Sequence, residues 1–225
     1  MIEVLLCSGY PTQLLLAGSF AVWGWAPADG ALSIGYVVAL SLLDTPLLLG
    51  LILLFLRAHG DDPRRVFFGS RPWREEVIAG LPLALLALVL AGAALLFIQS
   101  LAPWLRTVEQ NPLQELMRTP ADFAVFAVVV VIAGGLREEL QRAFLLTRFK
   151  QSLGGARVGL VVTSLAFGAG HYVQGADAAI ATGLLGAFWG LVYLRRQSAV
   201  APMVSHATFN LLQLLQFAIV ARGLA

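Results

Sequence analysis

From Val77 to Gln99 the sequence carries no ionisable side chain. A run of about 20 apolar residues is the length of a helix that crosses the hydrocarbon core of a bilayer, where each backbone amide must be paired within the segment. Comparable runs cover roughly residues 4–25, 31–56, 121–149, 158–173, 178–194 and 199–220. They are continuous rather than alternating, which suits helices and not barrel strands. Only 12% of residues are charged and 59% are hydrophobic, whereas a soluble domain carries about 25% charged residues. The chain therefore reads as an all-α, polytopic transmembrane bundle of about seven spans. It forms one integral membrane domain over residues 1–225, with N-terminal spans in 4–100 and a core over about 121–222.

Charge placement orients the bundle. Ten of the fifteen basic residues fall in three loops, 57–74, 148–157 and 195–196, and the positive-inside rule makes those loops cytoplasmic in a multi-pass protein of an inner or plasma membrane. Trp23 and Trp25, followed by the turn 26–30, and Trp104 mark the opposite interface. A short interfacial helix is expected over Leu113–Met117 in the polar segment 106–122. The N-terminus lacks a basic region and a small-residue cleavage site, so no cleavable signal peptide is expected. Cys7 is the single cysteine, which excludes an internal disulfide and a thiolate metal cluster. A net charge of +2 gives no nucleic-acid footprint. The expected partner is the lipid bilayer.

Within this apolar sequence, Gly134-Gly135-Leu136-Arg137-Glu138-Glu139-Leu140-Gln141-Arg142 follows directly on the run Phe123–Ala133. An ionised residue at mid-bilayer costs about 3 kcal/mol on insertion scales, and such residues usually serve function. Gly134-Gly135 is an expected kink in a helix longer than the membrane is thick. Two further helices carry polar residues, His171 in one and His206 with Asn210 in the other. Counted at about 1.5 Å per residue from the cytoplasmic basic residues, Glu138, His171 and His206 lie roughly 15, 21 and 15 Å deep. All three are expected to meet near the midplane.

Spacing adds detail. His206 and Asn210 are four apart and share a helix face, as do Phe167 and His171, and Glu138 and Arg142. A buried carboxylate beside a histidine is suited to take a proton from water. A second histidine with an asparagine amide can donate to an oxyanion formed as water attacks a peptide carbonyl. Glu138, His171 and His206 could instead ligate Zn²⁺ with one position open. Both arrangements hydrolyse amides.

Glu138-Glu139 followed by an arginine, Phe167-x-x-x-His171, and His206-x-x-x-Asn210 together resemble the three motifs of the CPBP family (CAAX protease and bacteriocin-processing, including the Abi proteins), over about Ile132–Leu215. The resemblance implies a glutamic-type intramembrane endopeptidase of the CAAX-processing kind, formerly classed as a metalloprotease. It would need no cofactor, with Zn²⁺ the alternative, and would act on a peptide or on a lipidated or membrane-anchored protein. It implies Glu138 as the water-activating base with His171 its partner, His206 and Asn210 as the oxyanion pair, and Glu139 and Arg142 as supporting residues. The family usually has three residues between the second glutamate and the arginine; here there are two, Leu140 and Gln141.

Two other classes use the same residues. A transporter or channel would employ buried Glu, His and Arg as a relay, although paired interrupted helices are not evident. A catalytically silent family member would bind peptides in the same pocket. Asp44, near Pro46, is a second buried charge, read either as a partner for backbone freed by the proline or as a substrate contact. Trp189 reads as packing.

Overall fold

The computed structural model describes residues 1–25, 27 and 32–223, with side chains through Val220. Every regular element among them is a helix, as the apolar runs require. The turn expected over 26–30 lies, apart from Pro27, outside the described residues.

Start signals in the sequence set several helix boundaries. In α3 (Ile34–Ala58) the Ser33 hydroxyl accepts from the Tyr36 amide. In α4 (Pro63–Phe68) Asp62 caps and Pro63 occupies the first turn, where its missing N–H is harmless. Asn111 and Pro112 repeat the device at the short helix Pro112–Glu115, close to the expected interfacial helix. At Pro120–Val129, Thr119 and Asp122 form a reciprocal capping box.

The first expected span is not one helix. Gly9 adopts φ +88° between Ile2–Leu6 and α2 (Tyr10–Val22), and the 13 residues of α2 reach only about 20 Å. Among the described residues four helices are long and apolar enough to cross a membrane: α3, α5 (Trp73–Leu101), α10 (Ala176–Arg196) and α11 (Val200–Gly223), the last over Val200–Val220. α9 (Gly155–Gly170), with 16 residues, is shorter. The expected count of seven thus resolves into four such helices, the broken N-terminal pair, the short α9 and one long helical rod.

That rod runs from Pro120 to Ser152 and changes pitch twice. α7 (Pro120–Val129) passes into a π-helical segment, Val130–Arg137, and then into α8 (Glu138–Ser152). The widened segment holds Val130–Ile132, the end of a β-branched run that begins at Val128, and the expected kink, Gly134-Gly135. β-Branched residues and glycine are weak helix formers, so the α-pattern yields here at low energetic cost. π-Turns of this sort occur often at functional sites.

α8 lies at the centre. Glu139, Leu140, Arg142, Ala143, Phe144, Leu145, Leu146, Arg148 and Phe149 are all buried, leaving little of the helix to face outward. Around it, small residues permit close helix approach. A Cβ at Gly168 would stand 2.6 Å from the Ala179 carbonyl, one at Gly80 2.6 Å from Val204, and one at Gly135 2.6 Å from the Ala207 methyl. The outer faces are apolar, with Leu85, Val89, Leu96 and Leu165 more than half exposed, as lipid-facing side chains would be.

The three arginine-bearing loops gather at one end. Arg148 pairs with Asp61 at 2.7 Å, Lys150 reaches Gln197 at 3.4 Å, and the Ala199 amide donates to the Phe67 carbonyl at 2.7 Å. Arg196 grips the fully buried Glu76 through both carboxylate oxygens, at 2.8 to 3.0 Å. At the other end, Asn111 donates to Gln174 at 3.1 Å and Gln99 to Asp177 at 2.8 Å.

Gly135→Ala should push α11 off the rod, because the added methyl meets backbone and Cβ of Ala207 rather than a movable side-chain tip. A loss of about 1–3 kcal/mol is expected, read as a lower melting temperature of the detergent-purified protein. Gly92→Ala, with open space at its Cβ, should leave the melting temperature unchanged or raise it slightly.

Candidate active site

The π-segment delivers its last residues into the bundle. The Glu138 amide donates back to the Ala133 carbonyl, closing the wide turn, and the Arg137 Nε reaches the same carbonyl at 3.4 Å. Two ion pairs follow. Arg137 bonds Asp44 of α3 through Nη1 and Glu138 Oε1 through Nη2, the latter at 3.1 Å. Arg142 bonds Glu139, not Glu138. The partners Glu139 and Arg142 are three apart, a spacing that shares a helix face as well as four does, so one residue fewer after the glutamates still lets the guanidinium reach a carboxylate.

His206 connects this helix to α11. Its Nδ1 stands 2.8 Å from Glu139 Oε1, and because an ionised carboxylate only accepts, Nδ1 carries the hydrogen. Its Nε2 is 3.9 Å from Glu138 Oε2, beyond a direct hydrogen bond. The ring is fixed from above and below: Trp189 stacks on it at 3.8 Å and 17°, and Phe167 meets it edge-on at 6.1 Å. Trp189 is held in turn by its own N–H, which donates to Ser205 at 3.1 Å. Asn210, one turn along α11, comes close to the rod because Gly134 has no side chain; a Cβ there would lie 2.6 Å from the Asn210 Nδ2.

His171 stands at the C-terminal cap of α9, where the helix ends and a 3₁₀ turn, Tyr172–Gln174, begins. It was expected inside a span; instead it closes one. Its Nδ1 is 2.8 Å from the Phe167 carbonyl, which only accepts, so Nδ1 carries the hydrogen and Nε2 is the ring nitrogen left for the cavity. Phe167 packs against it at 4.7 Å and also carries the Arg142 guanidinium over its face at 4.6 Å.

These elements enclose a cavity of about 570 Å³, within the size range of ligand pockets, lined by Glu138, His171, His206 and Asn210 together with Arg137, Phe167 and Trp189. Glu139 and Arg142 are buried behind the lining. The wall toward α5 and α7 is apolar, with Ala91, Leu95, Phe126 and Val129. Amide side chains of Asn111, Gln114 and Gln174 stand toward the end occupied by the 102–119 segment.

Among the described residues no three His, Cys, Asp or Glu side chains are placed to hold one ion. The alternative zinc set of Glu138, His171 and His206 lines the cavity but is not placed to hold one ion.

Two contributors were hidden in the sequence. Asp44 stood out as a buried charge, but nothing linked it to Arg137, which lies 93 positions away. Trp189 was read as packing, and no spacing rule ties it to His206. The local pairs Phe167/His171 and His206/Asn210 could be placed on shared faces from periodicity alone.

No curated protein and no solved structure matches the chain. Residues 120–212 match the family model described as type II CAAX prenyl endopeptidase Rce1-like, a segment that begins at the capping box of α7 and ends two residues past Asn210. The matched segment carries Glu138, His171, His206 and Asn210, so the polar side of the cavity lies on the part of the chain that is similar to this endopeptidase family.

Proposed function

We propose that the protein is an intramembrane endopeptidase that cleaves a peptide bond of a membrane-associated substrate with a water activated by Glu138 and His171. The arginine-bearing end of the bundle faces the cytoplasm. The observation that carries this reading is the single cavity shared by Glu138, His171, His206 and Asn210, on the segment that matches a peptidase family.

The residues divide the work. Glu138 has one oxygen bonded to Arg137 and the other, Oε2, on the side of His206, where it can take a proton from water. His171 Nε2 accepts the second hydrogen of that water and orients it. Glu139 fixes the His206 ring. With its Nδ1–H held by Glu139, the His206 ring can donate from Nε2 as well only in its doubly protonated form. Its Nε2–H, with the Asn210 amide, then donates to the oxyanion as the carbonyl is attacked. Donors fixed by packing need no rearrangement as charge develops, and removal of one typically costs about 3 kcal/mol of transition-state stabilisation.

The uncharged wall of the cavity fits an apolar peptide or one carrying a lipid chain.

Cleavage of a mixed peptide and lipopeptide library, including C-terminal prenylated peptides, is the direct experiment. Glu138→Gln should lower kcat by about a hundredfold or more at unchanged melting temperature. A zinc chelator should have no effect. Equal turnover by wild type and Glu138→Gln would remove Glu138 from the role of base, and chelator-sensitive turnover would replace the metal-free mechanism. Gly134→Ala should displace the Asn210 amide, a movable tip, lowering kcat by about tenfold or more with little change in melting temperature.

A further inference from the structure

We propose that Asp44, on α3 and outside the matched segment, is a positioning residue that keeps one oxygen of Glu138 free by holding the Arg137 guanidinium away from it. The proposal rests on the reading of Glu138 as the base.

A guanidinium presents its donors as a fork that binds a carboxylate through both oxygens when nothing competes. Arg137 does not do this with Glu138. Its Nη1 is engaged by Asp44, its Nε by the Ala133 carbonyl at 3.4 Å, and only Nη2 reaches Glu138, at Oε1 and 3.1 Å. Glu138 Oε2 is left on the side of His206 Nε2, at 3.9 Å, where the cavity lies. Asp44 is fully buried, and its Oδ2 also receives a weak bond from Gln13 of α2 at 3.5 Å. An unpaired buried Asp44 would be expensive, so Asp44 and Arg137 hold each other in place.

Without the Asp44 charge the fork can turn fully onto Glu138. Both oxygens then become hydrogen-bonded, and the base loses its free lone pair and part of its basicity. The charged and titratable groups around Glu138 are few. They are Arg137 and Glu139 on its own rod, with Glu139 answered by Arg142, His206 from α11, His171 from α9, and Asp44 through Arg137 from α3. Removal of the Asp44 charge and closure of the fork act in the same direction: each stabilises ionised Glu138 and lowers the pH at which it protonates.

The experiment uses the detergent-purified full chain as wild type, Asp44→Asn, Arg137→Gln, the double variant and Glu138→Gln. Infrared spectroscopy follows the protonated-carboxyl band of Glu138, identified by its loss in Glu138→Gln. Asp44→Asn should move the appearance of that band to lower pH. In the Arg137→Gln background, where there is no fork to turn onto Glu138, the same change should move the band far less. On a prenylated peptide that the wild type cleaves, Asp44→Asn should lower kcat by about a hundredfold with KM little changed. A scaffold role alone would lower yield and melting temperature and leave the band and the kcat-to-KM split in place, which would overturn the proposal. So would a shift of the band to higher pH. Wild-type turnover by Glu138→Gln would sink the base assignment instead, and the infrared comparison would still decide whether Asp44 governs Glu138. If no probe is cleaved, the infrared result alone decides. If Asp44→Asn does not fold, Asp44→Ser, which also removes the charge, is read by the same band.

Discussion

The ion cluster on the central rod is the constraint to which the other helices answer. Asp44, Arg137, Glu138, Glu139, Arg142 and His206 are brought together in a bundle whose surroundings are otherwise apolar. Breaking a buried pair by removing one partner costs about 3–5 kcal/mol, and Asp44, Arg137, Glu139, Arg142 and His206 are all buried. The six groups must therefore satisfy one another. That requirement brings α3 against the π-segment through Asp44 and α11 against α8 through His206. Phe167 of α9 and Trp189 of α10 complete the shell by covering the Arg142 guanidinium and the His206 ring.

Glycines let those contacts form. The absence of side chains at Gly134 and Gly135 brings α11 near enough for Asn210 and His206 to reach the rod. On the far side Gly186 admits Phe167, with 2.9 Å between its would-be Cβ and the ring. The cavity is thus a by-product of close packing around it: the backbones approach where glycine stands, and the space remains where the larger side chains are held back by their own bonds.

Much of this was legible in the sequence. Apolar run length specified an all-α membrane bundle, and the clustered arginines specified that three loops share one end, which Arg148–Asp61, Lys150–Gln197 and Arg196–Glu76 bear out. The rest was not legible for physical reasons. Periodicity reports neighbours at three and four positions: the four-residue spacing pointed Arg142 at Glu138, and the pair that forms is the three-residue one with Glu139. The break at Gly9 depends on a single φ value, and an apolar run looks the same with or without it. Nothing local marks Glu76 as the partner of Arg196, 120 positions later. The depth estimate brought Glu138, His171 and His206 to one level because it counts rise per residue, but it carried His171 into a helix that ends one residue before it.

The change of pitch between α7 and α8 has a consequence for how the chain can vary. In a continuous α-helix, loss of one residue rotates everything beyond it by about 100°, so a length change near Glu138 would turn the whole of α8 away from its neighbours. Across a π-helical junction the two halves are keyed separately. The first half takes its register from α3 and α11, and the second from α9 and α10. The shorter interval between Glu139 and Arg142 sits directly after this junction. A wide turn there works as a slip joint, taking up a change of length locally while the faces on either side keep their partners.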